Sequence, residues 1–302
     1  MNRDGAPDDV DVRDLYIDLM KRALLDEIYA DDPLGKYVFY RRDRKSGPAV
    51  KNWAIAALEK ALWKRKIRLV TPYSFPGVND FTALSASEVD SLNDVGAYWP
   101  ARAHSMIGRR RLDNLRHCAE TVLRENVPGD MIETGVWRGG ACIFMRAILK
   151  AYGDRKRTVW VADSFAGLPP PDPDTYKDDA GDTLHTFADF LAISRSRVEK
   201  NFEAYGLLDS QVQFLEGWFK DTLHKAPIER LAVLRLDGDM YESTIQALDA
   251  LYERLSVGGF VIVDDYSLKP CAKAVHDFRD RYGITEEMVD IDGNGVFWRR
   301  LR

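Results

Sequence analysis

Residues 131–150 read MIETGVWRGGACIFMRAILK, in which a short apolar run passes through a glycine-containing turn into a helix-forming segment. Four similar apolar runs follow along the chain, each with helix-forming sequence after it: 158–163, 212–217, 231–237 and 259–265. Apolar runs that alternate with helices are typical of a parallel sheet buried on both faces. The pattern predicts an α/β fold with a doubly wound, mostly parallel, Rossmann-like sheet.

The ends of the chain extend this core. Residues 286–300 contain two strand-like runs around Gly293-Asn294-Gly295, which predicts a terminal hairpin. Apolar residues at helical spacing predict one helix over 11–30, with a stripe that includes Leu15, Ile17 and Leu19, and another helix over 184–205.

A basic segment precedes the predicted sheet. Residues 41–68 carry ten basic and two acidic side chains, and 51–69 is helix-prone. Residues 71–94 are turn-rich and predict a connector or lid. We therefore divide the chain into a helical N-terminal region, 1–103, and a larger α/β domain, 104–302.

Composition excludes several classes of function. The formal net charge of -5 argues against general affinity for nucleic acid. The three cysteines lack metal-ligand spacing, and the N-terminal residues lack the apolar run of a secretion signal. We expect a cytoplasmic protein in a reducing compartment.

The strand ends predict a nucleoside site, because ligands of such sheets bind at the carboxyl ends of the strands. The first run ends in E-x-G-x-x-x-G-G, from Glu133 to Gly140, which is not a dinucleotide fingerprint. Gly135 permits a tight turn, and Gly139 permits close approach of a ligand and a helix. Asp163 ends the second run and suits ribose hydroxyls, whereas Gly217 and Trp218 suit an adenine ring.

Three carboxylates converge at the ends of the fourth and fifth runs: Asp237, Asp264 and Asp265. Clustered hard oxygens favour Mg²⁺ or a similar ion, which would offset their mutual repulsion. The alternative is that each aspartate caps the helix that follows it. A metal there would lower the pKa of a substrate hydroxyl and orient it.

Six segments resemble the macrocin O-methyltransferase family, whose members methylate sugar hydroxyls of macrolide and aminocoumarin antibiotics. The segments are AHSMIGRRRLDNL, MIETGVWRGGACIFMRA, VADSFAGLP, LEGWFKDTL, LRLDGDMYEST and GGFVIVDDY. They span 104–302 almost continuously, and DLYIDLMKRALLDEIY is similar to the family's opening helix. The segment 40–100 departs from the family, in which the corresponding connection is much shorter.

The resemblance implies S-adenosylmethionine and Mg²⁺ as cofactors. It places Glu133, Gly135 and Asp163 at the methyl donor, and Asp237, Asp264 and Asp265 at the metal, with Asp237 also a general base. We expect further cofactor contacts from neighbouring motif residues, and an acceptor contact from Tyr241. Those cofactor contacts are Met106, Thr134, Gly139, Ser164, Gly217 and Trp218.

The sequence leaves several alternatives open. The acceptor hydroxyl could be phenolic, and the chain could be a nicotinamide-dependent oxidoreductase or a nucleoside-binding regulator. The resemblance implies a small-molecule glycosylated substrate and a homodimer or larger homo-oligomer. Segment 51–69 could contact an anionic membrane, but a solvated face or a protomer contact is the favoured interpretation.

Overall fold

The computed structural model describes residues 11–28, 86–97 and 102–302. Within these ranges, seven strands form one sheet in the order β3-β2-β1-β4-β5-β7-β6. The strands are β1 (Asp130–Thr134), β2 (Val159–Asp163), β3 (Val212–Glu216), β4 (Leu231–Leu236), β5 (Leu255–Val263), β6 (Val289–Asp290) and β7 (Val296–Arg299).

The sheet confirms the predicted architecture. Strands β1 to β5 are parallel, whereas β7 runs antiparallel to β5 and pairs with β6 in the expected terminal hairpin. Strand order reverses between β1 and β4, where ligands of doubly wound sheets bind. The carboxyl ends of these two strands therefore mark the expected site.

Helices cover both faces of the sheet. Apolar side chains of α1, α3, α4 and α6 pack on one face, and those of α8 and α9 pack on the other. The helices are α1 (Val12–Leu24), α2 (Ala86–Asp94), α3 (Arg109–Arg124), α4 (Gly140–Ala151), α5 (Ala188–Leu191), α6 (Arg195–Ala204), α7 (Phe219–Thr222), α8 (Tyr241–Leu251) and α9 (Lys269–Tyr282). Short 3₁₀ turns lie at Lys177–Asp179, Leu184–Phe187, Leu223–Lys225 and Tyr252–Arg254.

The prediction of a single helix over 184–205 is wrong. A 3₁₀ turn and α5 end before Ala192, whose ψ is 89°, and α6 begins after Ser194, whose backbone is extended. Serine favours the position before a helix because its short polar side chain competes with helical hydrogen bonds. The break separates the segment near the strand ends from Val198 and Phe202, which are buried in the core.

Two N-terminal predictions also need correction. Residues 86–94 of the predicted connector form α2, which Arg109 holds through Asp90 at 2.8 Å and Asp94 at 2.9 Å. The apolar stripe of α1 is narrower than predicted, because Leu15 and Leu19 are exposed whereas Ile17 is buried.

The basic segment 51–69 lies outside the described residues. Among the helices of the described ranges, none combines the length and apolar character needed to cross a membrane.

Candidate active site

The turn after β1 lies tightly against the turn after β4. Gly135 has a φ of 89°, and a Cβ there would overlap the carbonyl oxygen of Asp237. The amide of Asp237 donates to the carbonyl of Thr134 at 2.9 Å. Glycine at position 135 therefore lets the carboxyl ends of β1 and β4 meet without a side chain between them.

Asp163 at the end of β2 is fixed by the backbone of two turns. Its Oδ2 accepts from the amide of Val136 at 2.7 Å, and its Oδ1 accepts from the amide of Phe165 at 2.7 Å. Burial raises the pKa of Asp163, and the two amide donors oppose that rise. The carboxylate is thus held beside the β1 turn with lone pairs left for further donors.

A cavity of about 340 Å³ opens at these strand ends. This volume lies within the range of roughly 300–1,000 Å³ that is usual for small-molecule sites. Aromatic and apolar groups form much of its wall, including Trp137, Leu168 and Phe219. Six of the sequence-predicted site residues also line it: Met106, Gly135, Asp163, Ser164, Trp218 and Asp237.

The other predicted cofactor residues do not line this cavity in the described structure. Thr134 is buried in the sheet, and its hydroxyl donates to the carbonyl of Arg235 at 3.4 Å. A Cβ at Gly139 would lie 2.8 Å from Cγ1 of Val198, so α6 occupies the space that this glycine leaves. Gly217 borders the methyl group of Thr222. Their contacts with a cofactor stay predictions.

The three predicted metal ligands converge at the ends of β4 and β5. One carboxylate oxygen from each of Asp237, Asp264 and Asp265 lies within 4.8 Å of the others. Asp237 lines the cavity, whereas Asp264 is buried behind it. Oδ2 of Asp265 accepts from the amide of Asp239 at 3.0 Å, which fixes that carboxylate.

Two buried arginines contact this acidic cluster, and the sequence prediction included neither. Arg235 is 1% exposed and pairs with Asp264, Glu133 and, at 2.7 Å, with Asp237. Arg111 of α3 pairs with the other oxygen of Asp264 and, through Nε at 3.0 Å, with Asp292. Glu133, predicted as a cofactor contact, therefore lies beneath the cavity, where it also accepts from the Cys142 thiol at 2.9 Å.

Negative charge accumulates at the cavity wall despite these arginines. Burial and the neighbouring Asp264 raise the pKa of Asp237 to about 6. Burial and Asp237 raise the pKa of Asp239, which also lines the cavity, to about 7. Burial and Asp239 raise the pKa of Asp265 well above its usual range. Such a cluster favours a bound cation, which would stabilise the ionised carboxylates.

The start of α8 forms the wall next to the acidic cluster. Asp179 accepts from the amides of Tyr241 at 2.7 Å and Glu242 at 2.9 Å, so it caps the helix from a distant loop. Glu242, Ser243 and Gln246 line the cavity. Tyr241, the predicted acceptor contact, does not line it, because its hydroxyl donates to Asp277 of α9 at 3.0 Å.

Known proteins match almost the whole chain. The model of the family described as "Macrocin-O-methyltransferase (TylF)" matches residues 13–300. The chain belongs to this family. The match confirms the resemblance drawn from the sequence. It also runs through 40–100, and the tetracenomycin-C relative described next is aligned across the same segment, so the prediction that 40–100 departs from the whole family is wrong.

Individual relatives are similar over most of their length. The chain is 48% identical over 289 residues to the "8-demethyl-8-(2,3-dimethoxy-alpha-L-rhamnosyl)-tetracenomycin-C 4'-O-methyltransferase" of Streptomyces olivaceus, covering 96% of this chain and 94% of that protein. It is 56% identical over 217 residues to the "Mycinamicin III 3''-O-methyltransferase" of Micromonospora griseorubida, covering 71% and 85%.

A solved structure supports the same assignment. The O-methyltransferase NovP superposes with a TM-score of 0.77 at 43% identity, covering 96% of this chain and all of that one. The chain is therefore an S-adenosylmethionine-dependent O-methyltransferase of the macrocin O-methyltransferase family. The nicotinamide-dependent and regulatory alternatives have no support from these matches.

Proposed function

We propose that this enzyme transfers the methyl group of S-adenosylmethionine to a sugar hydroxyl of a glycosylated natural product, with a divalent metal held by Asp237, Asp264 and Asp265. One observation carries the proposal. The three carboxylates converge within 4.8 Å, and Asp237 lies on the wall of the cavity that Gly135 and Asp163 also line.

The chemistry of the donor set fits Mg²⁺ or a similar hard cation. All three candidate ligands are carboxylates, and no sulfur or imidazole group of the described residues, the ligands that zinc prefers, belongs to the cluster. Asp237, Asp239 and Asp265 have raised pKa values because they face one another in a buried site. A divalent ion would offset this excess negative charge, and when bound it would acidify and orient the acceptor hydroxyl.

The remaining work belongs to the chain's own residues. Asp163, the Gly135 turn and the ring of Trp218 would hold the methyl donor, with Met106 and Ser164 at its margin. Because Asp237 belongs both to the cavity wall and to the metal cluster, its main role would be to bind the metal. Its secondary role would be to accept the proton of the acceptor hydroxyl. Leu168, Pro169 and Leu191 would exclude water from the transfer.

The names of the relatives support a sugar hydroxyl as the acceptor group. The names of the tetracenomycin-C and mycinamicin enzymes describe methylation at the 4' and 3'' hydroxyls of glycosylated compounds. A polar wall built from Glu242, Ser243 and Gln246 suits hydroxyl-rich acceptors, because these groups can accept and donate several hydrogen bonds. We assign acceptor contacts to this wall, whereas Tyr241 acts through Asp277 on the packing of α8 against α9.

The test is a screen of acceptors with isotopically labelled S-adenosylmethionine and detection of product mass. The acceptors are deoxysugar glycosides, nucleotide sugars and catechols, each with Mg²⁺ and after EDTA treatment followed by Mg²⁺ addition. We expect methylation of glycosides, loss in EDTA and recovery with Mg²⁺. Asp249→Asn, at a surface carboxylate that pairs with Arg281, is the matched control for Asp237→Asn. Methylation of catechols alone, or full activity in EDTA, would contradict the proposal.

A further inference from the structure

Arg235 stands out because it is a charged residue within an otherwise apolar parallel strand. It lies directly between Glu133 of β1 and Ile262 of β5 in the register of the sheet. Its side chain is 1% exposed and points to the same face as Glu133, Asp237 and Asp264, all of which it contacts. One guanidinium therefore spans the ends of three neighbouring strands.

The contacts of Arg235 divide between its two terminal nitrogens. Nη1 donates to Glu133 and, at 2.7 Å, to Oδ2 of Asp237, whereas Nη2 donates to Oδ1 of Asp264. The guanidinium is planar and its donors have fixed directions, so these contacts set the positions of both aspartates relative to each other. A lysine ammonium could preserve the charge but not this geometry.

Arg111 holds the same cluster from the helical layer. Its Nη1 donates to Oδ2 of Asp264, the oxygen that Arg235 does not use, and its Nη2 donates to the carbonyl of Val95 at 2.9 Å. Asp264 is therefore clamped at both oxygens. Oδ1 of Asp237 and Oδ1 of Asp265 have no donor among the described residues.

The link to Glu133 gives Arg235 a second consequence. Glu133 is two residues before Gly135, the turn that lies against Asp237 on the donor side of the cavity. Arg235 thus connects the strand that carries the donor turn to the strands that carry the acidic cluster. In-line methyl transfer requires the donor and acceptor sites to keep a fixed separation.

We propose that Arg235 is a positioning residue that holds Asp237 and Asp264 in the spacing that a divalent ion requires, with Arg111 as the second support of Asp264. The proposal rests on the proposed metal-dependent function. It differs from a simple charge effect, because a nearby guanidinium repels a cation and competes for the carboxylates. Positioning predicts that loss of Arg235 weakens metal binding, whereas charge repulsion predicts that it strengthens metal binding.

The experiment titrates the full-length enzyme with Mn²⁺ alone and follows free Mn²⁺ by electron paramagnetic resonance. Residues that orient metal ligands change metal affinity by about 10- to 100-fold. We expect Arg235→Lys to raise the Kd for Mn²⁺ by about 10-fold and Arg235→Met by about 100-fold. Saturating Mn²⁺ should restore most of the kcat of Arg235→Lys, which a purely structural defect would not allow.

Arg146→Gln is the matched control. Arg146 is also a buried arginine in a carboxylate pair, with Asp209 at 2.5 Å, but it lies on α4 away from the cluster. Circular dichroism and thermal denaturation identify variants that do not fold. If the Arg235 variants do not fold, Arg111→Lys takes their place, because Arg111 holds Asp264 from α3 and not from the sheet. We expect Arg111→Lys to raise the Kd for Mn²⁺ by about 10-fold. Arg146→Gln should bind Mn²⁺ as the wild type does, even if its melting temperature falls.

The outcomes separate this proposal from the function beneath it. If the wild type binds Mn²⁺ and folded Arg235→Lys binds it equally or more tightly, positioning by Arg235 is refuted and the metal-dependent function stands. If the wild type binds no Mn²⁺ and stays active in EDTA, the metal-dependent function fails and this proposal fails with it.

Discussion

Replacement of Gly135 by alanine perturbs the junction between the donor turn and Asp237. The new Cβ would lie 2.8 Å from the Asp237 carbonyl carbon and overlap its oxygen. Carbon atoms in contact are about 3.5–4.0 Å apart, so the carbon contact alone requires the two turns to separate by about 0.7 Å, and the overlapping oxygen requires more. Such overpacking costs about 1–3 kcal/mol, and a positive φ costs alanine about 1–2 kcal/mol more.

We therefore expect Gly135→Ala to lower the free energy of unfolding by about 2–5 kcal/mol in urea denaturation. A displacement near 1 Å at the reacting groups should also lower kcat by about 100-fold. Gly153→Ala is the matched control, because Gly153 has a φ of 68° but a Cβ there meets no atom within 4 Å in the described structure. It should lose only about 1–2 kcal/mol and retain activity. Equal losses in the two variants would refute the close approach of the turns.

Three further predictions concern the walls of the site. Asp179→Ala removes the cap of α8, so we expect the free energy of unfolding to fall by about 1 kcal/mol. The KM for the acceptor should rise while the KM for the donor stays unchanged. An unchanged acceptor KM would argue against acceptor contacts at the start of α8. Asp163→Asn should weaken S-adenosylhomocysteine binding about 10-fold in calorimetry, and wild-type affinity would remove Asp163 from the donor site. Burial and Arg138 lower the pKa of His104, whose ring bonds the Tyr205 hydroxyl at 2.8 Å, to about 4. The folded state therefore resists protonation of His104. The free energy of unfolding should be fully retained above about pH 6.5 and fall as the pH drops towards 4. For this partly exposed ring the loss should be on the order of 2 kcal/mol. His104→Asn should lack this component, and parallel pH curves of urea stability in variant and wild type would contradict it.

The sequence predicts the sheet well because the parallel strands are short, mostly apolar runs that alternate with helix-forming segments. The residues that end those runs share one rim by topology alone, which is why the sequence pattern suffices to group Asp237, Asp264 and Asp265. The distances between these carboxylates could not be predicted. Nor could the different positions of Asp163, which lines the cavity, and Glu133, which lies beneath it. The apolar or polar character of the residues in a strand does not show which side chains pack against the end of that strand.

The two arginines mark the limit of prediction from sequence. Arg235 carries a signal, a charge inside the run LAVLRLD, but two of its three partners, Glu133 and Asp264, belong to other strands and are distant in sequence. Arg111 carries none, because it is one of three consecutive arginines and only tertiary packing selects it to face Asp264. Asp179 is likewise separated from α8 by more than sixty residues.

In the proposed mechanism, donor binding and metal-assisted transfer use different strand ends of one cavity. Single-turnover methyl transfer by Asp237→Asn, saturated with S-adenosylmethionine and a glycoside acceptor in Mg²⁺, tests this division most directly. We predict wild-type affinity for S-adenosylhomocysteine and a transfer rate lower by at least about 1,000-fold, because the variant loses a metal ligand and the proton acceptor together. Transfer at the wild-type rate would contradict the account.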